Sequence, residues 1–206
     1  MEGCPSCGFM DLLGACWMIR SLEQSIASLA LDSENNLVAG GWDGQIRKWN
    51  AEGDLIWNQE LPDRVSEIIF SENKIIATAG LHIVDLDAET GEINWSCPLE
   101  GSADSLAIYS DEIYVTSSVY DIEHNDFLES AIWKFSKSGT QQWVIKIDER
   151  PWFLITENEK IILGLGRPKS GWAEILSEGE IINHGLETES PVMSGTICDK
   201  EIYFGH

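Results

Sequence analysis

The sequence predicts an all-β protein, a β-propeller of four-stranded antiparallel blades with four full blades and a partial fifth. Tryptophans recur 40, 38 and 48 residues apart, at Trp17, Trp57, Trp95 and Trp143. A glycine lies four residues before each of the last three, at Gly53, Gly91 and Gly139. Each period divides into four short apolar-alternating segments bounded by turn residues. A period of about 40 residues with four strands is typical of a propeller blade.

The first repeat shows how one blade is assembled. Asp43-Gly44 predicts a tight turn, Gln45 to Trp49 a strand, and Glu52-Gly53 a second turn before the strand that carries Trp57. The same division predicts an N-terminal arm containing cysteines at residues 1–13 and a propeller at residues 14–206. The predicted blades cover residues 23–60, 61–99, 100–148, 149–187 and, for the partial blade, 188–206 together with 14–22.

The third repeat contains the longest insertion, interpreted as a loop from Ser118 to Ser130. Oxygen ligands at alternating positions followed by a glutamate are typical of a calcium-binding loop. The candidate ligands are Asp121, Glu123, Asn125 and Glu129. The alternative is a solvated acidic loop, since Asp126 occupies the sixth position, where a standard calcium loop has glycine.

The two ends of the repeat array predict an unfinished blade. The C-terminal end offers strands from Ser194 to Cys198 and from Glu201 to Phe204, and the N-terminal end offers one from Cys16 to Leu22. Together these segments lack a third strand. Because open propellers leave strand edges unpaired, we expect either contact between the terminal segments or self-association through the exposed edges.

The N-terminal arm carries Cys4 and Cys7 at the spacing of one zinc knuckle, with Cys16 as a candidate third ligand. The alternative is a flexible arm without metal. Five cysteines at irregular spacings do not form a disulfide framework and predict a reducing, cytoplasmic compartment. An exported lipoprotein is the alternative, because residues 13–16 resemble a lipoprotein cleavage box, although the preceding residues lack a basic segment.

Charge restricts the classes of partner. The formal net charge of −22 disfavours nucleic acid and anionic membranes, whose recognition depends on Lys and Arg. No apolar run is long enough to predict a membrane span. A negative field favours a basic protein or peptide, and the alternative is that the acidic surface serves solubility alone.

Two segments resemble known repeat families. Asp85-Leu86-Asp87-Ala88-Glu89-Thr90-Gly91-Glu92-Ile93-Asn94-Trp95 resembles the tryptophan-docking motif of pyrroloquinoline quinone (PQQ)-like propellers, the quinoprotein alcohol dehydrogenase-like superfamily. Leu37 to Trp49 resembles a WD-repeat strand pair. The resemblance implies that each motif tryptophan packs one blade against the next. Such propellers as a rule have seven or eight blades, so this chain is interpreted as an incomplete propeller or as one completed by another chain.

Function is predicted from surface positions, because no catalytic motif is found. The four histidines are scattered, and no residue matches the cofactor-binding positions of quinoproteins. We therefore expect no cofactor and a non-enzymatic scaffold that binds a protein or peptide through one loop face. The alternative is a fragment or subunit of a PQQ-type enzyme or sensor. The ligand-face candidates are Trp42, Asp43, Arg64, Arg150, Trp152 and Arg167.

Overall fold

The computed structural model describes residues 19–157, 160–166, 170–176, 178–184, 190–199 and 201–205. Throughout these ranges every regular element is a β-strand. The described residues therefore contain no helix of the length and apolarity that crossing a membrane requires. The all-β class predicted from the sequence is confirmed.

The strands form four antiparallel four-stranded sheets and one two-stranded sheet, and each sheet is built in chain order. Blade 1 consists of β1 (Ile26–Leu31), β2 (Leu37–Gly41), β3 (Gln45–Trp49) and β4 (Leu55–Glu60). Blade 2 consists of β5 (Val65–Ser71), β6 (Lys74–Ala79), β7 (His82–Asp87) and β8 (Ile93–Pro98). Blade 3 consists of β9 (Ser102–Tyr109), β10 (Glu112–Asp121), β11 (Asp126–Ser136) and β12 (Gln141–Ile147). Blade 4 consists of β13 (Pro151–Glu157), β14 (Lys160–Gly166), β15 (Ser170–Ile175) and β16 (Ile181–His184), and the partial blade 5 of β17 (Ser194–Cys198) and β18 (Glu201–Gly205).

The interpretation of residues 118–130 as a loop is wrong. β10 and β11 continue through this segment as a long hairpin, paired from Ser118 with Ser130 to Asp121 with Asp126. The turn is reduced to residues 122–125. The hairpin holds together because Tyr120 lies opposite Phe127 and their rings meet edge to face, with centroids 5.1 Å apart.

The hydrophobic core lies between blades. Separate clusters of buried side chains join blades 1 and 2, 2 and 3, and 3 and 4. The repeat tryptophans contribute as the resemblance implied: Trp57 of blade 1 covers Gly91 of blade 2, and Trp95 covers Gly139 of blade 3. A Cβ atom on Gly91 would lie 2.7 Å from the Trp57 ring. These glycines therefore serve both a turn with positive φ and a close ring contact.

The predicted N-terminal strand is not observed where the structure describes it. Residues 19–22 are not in a strand, and the Arg20 guanidinium donates to the carbonyl of Gly53, in a turn of blade 1. This part of the segment therefore lies against blade 1, while among the described strands β17 and β18 pair with each other alone. The expected contact between the terminal segments stays a prediction, because residues 16–18 of the N-terminal segment lie outside the described residues.

The first strand of each blade contacts the first strand of the next blade, and its start forms part of one end of the molecule. β1, β5, β9, β13 and β17 contact one another in that order, so they form the inner row of the array. In blades 1 to 4 this strand contains an irregularity in pairing near its start. The bulged positions include Ala27, Ser66, Asp104 and Trp152. A bulge bends a strand and redirects its side chains, and here these side chains line depressions at the same end of the blades.

Candidate functional site

We define the loop face as the end of the blades formed by the turns between second and third strands and by the connections between blades. Backbone hydrogen bonds tie these segments together. The amide of Leu61 donates to Gly44 within blade 1, and the amide of Gly80 in blade 2 donates to Arg64 in the connection before it. The amide of Ala103, at the start of blade 3, donates back to Gly80. The loop face is therefore a braced surface that can hold side chains in fixed positions.

The first group on this face combines two of the predicted residues. Trp42 is 57% exposed, and the Arg64 guanidinium carbon lies 5.1 Å from the centre of its ring. This distance is within the range of a cation–π contact. Asp43, also predicted, is used locally: its Oδ1 accepts from the amide of Gln45, and its Oδ2 lies 3.6 Å from the Arg47 guanidinium. Trp42 and Arg64 therefore form the outward part of this group.

The second group is built around Arg150. Its guanidinium carbon lies 3.8 Å from the ring centre of Phe127 and 4.3 Å from that of Trp152. The Trp152 indole is fixed in turn by donating to the carbonyl of Gly166 at 3.2 Å. The two predicted residues Arg150 and Trp152 thus come together, and with Phe127 they line a cavity of about 340 Å³.

Asp104 joins the two groups. It lines a shallow depression of about 410 Å³ together with Trp42 and Arg64, and its Oδ1 lies 3.5 Å from the Arg150 guanidinium. Burial raises the pKa of Asp104, against the opposing effects of a hydrogen bond with Ser118 and of the Arg150 charge. The two depressions are therefore connected by an ion pair that is largely shielded from solvent.

Sequence reasoning missed several residues of this face. The hairpin of β10 and β11 contributes Tyr120 and Phe127, and the connection to blade 5 contributes Met193, which is 51% exposed. At the hairpin tip Ile122 is 86% exposed. The available signal is two pairs of adjacent apolar or aromatic residues, Val119-Tyr120 and Phe127-Leu128, on either side of the acidic centre of the insertion.

The structure does not gather the candidate calcium ligands into a site. Asp121 Oδ1 accepts from the backbone amides of Glu123 and His124, which satisfies it within the turn. Asn125 accepts from the Tyr120 hydroxyl, and Glu129 points towards Lys146, whose Nζ is 4.0 Å away. Among the described ranges, no three His, Cys, Asp or Glu side chains lie close enough together to hold a metal ion.

Four of the predicted site residues are not covered by the described ranges. Cys4, Cys7 and Cys16 lie outside the described residues, and so does Arg167. The zinc hypothesis and the assignment of Arg167 to the ligand face therefore stay predictions. Analysis of the metal content of the purified protein would test the former.

An additional titratable group lies on the inner row of strands. Glu67 on β5 lines an open concavity of about 580 Å³ between β5, β9, β13 and β17. Its Oε2 accepts from the backbone amide of Leu106 at 2.6 Å. Burial raises the pKa of Glu67 from 4.5 to about 7, and the Leu106 hydrogen bond opposes this effect. Glu67 is therefore a carboxyl group that ionises near neutral pH.

The stacked blades, the tryptophan–glycine contacts and the braced loop face define a β-propeller of the PQQ-like repeat class. Residues 15–151 match the family model described as "Outer membrane protein assembly factor BamB". This match covers more than half of the chain, so the chain belongs to that family of PQQ-like propellers. The resemblance stated from the sequence is thereby confirmed.

Solved structures support the same fold. The chain is similar to the computationally designed Ika4 protein, with a TM-score of 0.63 and 14% identity over 82% of this chain and 96% of that one. It is also similar to the Pan2 WD40 domain of Neurospora crassa, with a TM-score of 0.67 and 12% identity over 86% of this chain. The chain spans 58% of that Pan2 chain. At such low identity these likenesses show the fold alone. Among curated proteins, no sequence matches the chain significantly.

Proposed function

We propose that this chain is a non-enzymatic propeller scaffold that binds a protein or peptide through its loop face. One observation carries the proposal: arginine and aromatic side chains from separate blades meet there as two stacked groups, Trp42 with Arg64, and Arg150 with Phe127 and Trp152. Tryptophan and arginine are the side chains that most often anchor protein interfaces. The braced backbone beneath them reduces the entropy lost on binding.

The partner that fits the charge of the molecule is basic overall. A formal charge of −22 attracts a cationic protein at long range and repels an anionic one. We therefore expect the association rate with such a partner to fall as salt is raised, because screening shortens the reach of the field to about 8 Å at physiological ionic strength.

The proposal is tested by comparing two double variants that act at opposite ends of the blades. Trp42→Ala with Arg64→Ala removes the first stacked group from the loop face. Glu89→Ala with Glu92→Ala, in the exposed turn between β7 and β8, is the matched control. We expect partners crosslinked in an extract of the source cells to be lost at least tenfold from the loop-face variant and retained by the control. Equal capture by both variants would contradict the proposal.

The alternative of a PQQ-type enzyme or sensor finds no matching site among the described residues. In the quinoproteins that the sequence resembles, the quinone binds together with a calcium ion. The described ranges contain no cluster of acidic side chains that could hold such an ion. Our proposal includes no cofactor, because no residue of the sequence matches a cofactor-binding position of the quinoproteins. Incubation with PQQ and calcium provides the test, and stoichiometric quinone binding with reduction of a dye would support the alternative.

The compartment belongs to the same proposal. We place the scaffold in the cytoplasm because of its irregular cysteine spacing. The description of the matching family model, an outer membrane protein assembly factor, favours the exported alternative instead. Fractionation of source cells, with detection of the chain in the cytosolic or the envelope fraction, decides between them.

A further inference from the structure

The cavity beside Arg150 combines an apolar wall with one fixed cation, and its lining also includes Asp126, whose Oδ1 accepts from the backbone amide of Phe127. Its wall is formed by Phe127, Trp152, Pro191 and Met193, from blades 3 and 4 and the connection to blade 5. Its volume of about 340 Å³ is at the lower end of the range for ligand pockets, enough for one or two side chains. The cavity therefore suits a small apolar group that carries its own charge-pairing atom.

Arg150 is held in place but not saturated. The rings of Phe127 and Trp152 lie against its guanidinium at 3.8 and 4.3 Å, which fixes the plane of the fork. Asp104 accepts one hydrogen bond from it at 3.5 Å, the outer limit for such a bond. The Arg150 Nε is buried without a hydrogen-bond partner among the described residues. A guanidinium offers five donors and this side chain is 23% exposed, so the terminal nitrogens of the fork retain donors for a ligand, whereas the buried Nε does not face one.

The geometry points to a carboxylate beside an apolar side chain as the ligand of this cavity, presented by a peptide segment of the partner. This inference rests on the proposed function and specifies its ligand. A planar carboxylate matches the guanidinium fork and forms charge-assisted hydrogen bonds with it. The neighbouring apolar side chain fills the space between Trp152 and Met193. The carboxylate comes either from Asp or Glu within the segment or from its C-terminus.

This local preference is compatible with a partner that is basic overall. The net charge of −22 acts over the whole surface, whereas the Arg150 fork acts at contact distance and inside a partly enclosed cavity. A cationic protein is thus attracted by the field and then anchored by one carboxylate. A carboxylate on a small probe must overcome the field, so its affinity should increase with salt, the opposite of the behaviour expected for the whole partner.

The test uses three probes that share one ring and differ in charge: 3-phenylpropionate, 3-phenylpropionamide and 2-phenylethylamine. Each is titrated into the full chain while the indole N–H signals are followed by NMR, with Trp152→Phe used to assign the relevant signal. We expect the Trp152 signal to shift with the carboxylate at a Kd about tenfold or more below that of the amide. Equal binding of the amide, or tighter binding of the amine, would overturn the inference.

Variants separate the guanidinium from the pocket itself. Arg150→Gln should abolish the preference for carboxylate over amide, whereas Arg64→Gln, which alters the other stacked group, should retain it. Arg150→Lys keeps the charge but not the fork, and should retain the preference with several-fold weaker binding. If Arg150→Gln does not fold, the lysine variant and the three probes still test whether the cavity prefers a carboxylate. A preference unchanged in the glutamine variant would refute the role of Arg150.

Two peptides identify the source of the carboxylate. One carries a phenylalanine followed by an internal aspartate and ends in an amide, and the other ends in phenylalanine with a free C-terminus. The peptide that binds more tightly shows whether the carboxylate comes from a side chain or from a C-terminus. Failure of both peptides to compete with 3-phenylpropionate would overturn the assignment of a peptide ligand. If partner capture depends on Trp42 and Arg64 while no carboxylate preference is found, this inference fails and the proposed function stands. If a carboxylate preference is found but capture is independent of the loop face, the proposed function fails.

Discussion

Replacing Glu67 with glutamine should make the stability of the protein less dependent on pH. The Glu67 carboxyl has a pKa of about 7 in the folded chain against 4.5 ordinarily, because burial disfavours its charged form. Well below pH 4.5 the carboxyl is protonated in both the folded and the unfolded chain, and Glu67 does not alter the free energy of unfolding. As the pH rises from 4.5 to about 7 the unfolded chain ionises first, so folding is progressively destabilised, by up to about 3 kcal/mol above pH 7.

The glutamine variant removes this loss without removing the local hydrogen bond. Its side-chain carbonyl can still accept from the Leu106 amide, which Glu67 accepts at 2.6 Å. We therefore expect Glu67→Gln to match the parent to within a few tenths of a kcal/mol in urea unfolding at pH 4, and to exceed it by up to about 3 kcal/mol at pH 8.5. Glu89→Gln, in an exposed turn, is the control and should change neither value. Equal stability of parent and Glu67→Gln at both pH values would refute the reasoning.

Two further predictions concern the packing and the ends of the array. Gly91→Ala should lower the free energy of unfolding by at least about 2 kcal/mol, because Gly91 has a φ of 75° and its new Cβ would lie 2.7 Å from the Trp57 ring. Gly179→Ala should lower it by only about 1 kcal/mol of backbone strain, because Gly179 has a φ of 91° but its nearest contact is at 3.1 Å. Equal losses in urea unfolding would contradict the docking role of Gly91. Self-association is expected through blade 1, where Leu29 and Leu31 are 58% and 61% exposed on one side of β1, so sedimentation should show a dimer that Leu29→Glu weakens. A monomer at all concentrations would oppose this expectation.

The fold was predictable because its signals are local and repeated. Strands such as Ile26–Leu31, Lys74–Ala79 and Ser194–Cys198 have the bounds predicted from alternation and turn residues. The long hairpin around Tyr120 was missed because acidic residues on its exposed positions hide the pairing that the opposite strand provides. Cross-strand partners are a tertiary property, which a single strand does not reveal.

The candidate site was predictable only in part. Trp42, Arg64, Arg150 and Trp152 were selected because they lie in connections that a propeller brings to one face. Asp104 was not, since its position depends on a bulge in β9 that shifts the register opposite Thr116. Such an irregularity leaves no periodic signal in the sequence. Loop positions therefore identified the face, and the bulged strands determined which side chains converge on it.

The repeat tryptophans Trp57, Trp95 and Trp143 are not equivalent, and the difference predicts a specific order of stability. In blade 2 the turn that receives Trp57 spans four residues between Asp87 and Glu92, and the Ala88 carbonyl accepts from the Trp57 indole at 3.2 Å. In blade 3 the corresponding turn spans three residues between Ser136 and Thr140. The Nε1 atoms of Trp95 and Trp143 are buried without a partner among the described residues. The blade 2 turn thus presents a carbonyl to the indole of Trp57, whereas in the shorter blade 3 turn the Lys137 carbonyl accepts from Lys74 Nζ at 3.2 Å and not from Trp95.

Phenylalanine substitutions should expose this difference. Trp57→Phe loses a hydrogen bond worth about 1 kcal/mol as well as ring contacts, although Ala88 keeps a second donor, the Lys48 Nζ at 2.9 Å. Trp95→Phe loses similar ring contacts but also removes a buried, unpaired donor, which offsets part of the cost. We therefore expect Trp57→Phe to be more destabilising than Trp95→Phe by about 1–2 kcal/mol in urea unfolding, with Trp143→Phe resembling Trp95→Phe. An equal loss at Trp57 and Trp95, or a larger one at Trp95, would show that turn length does not control the docking energy.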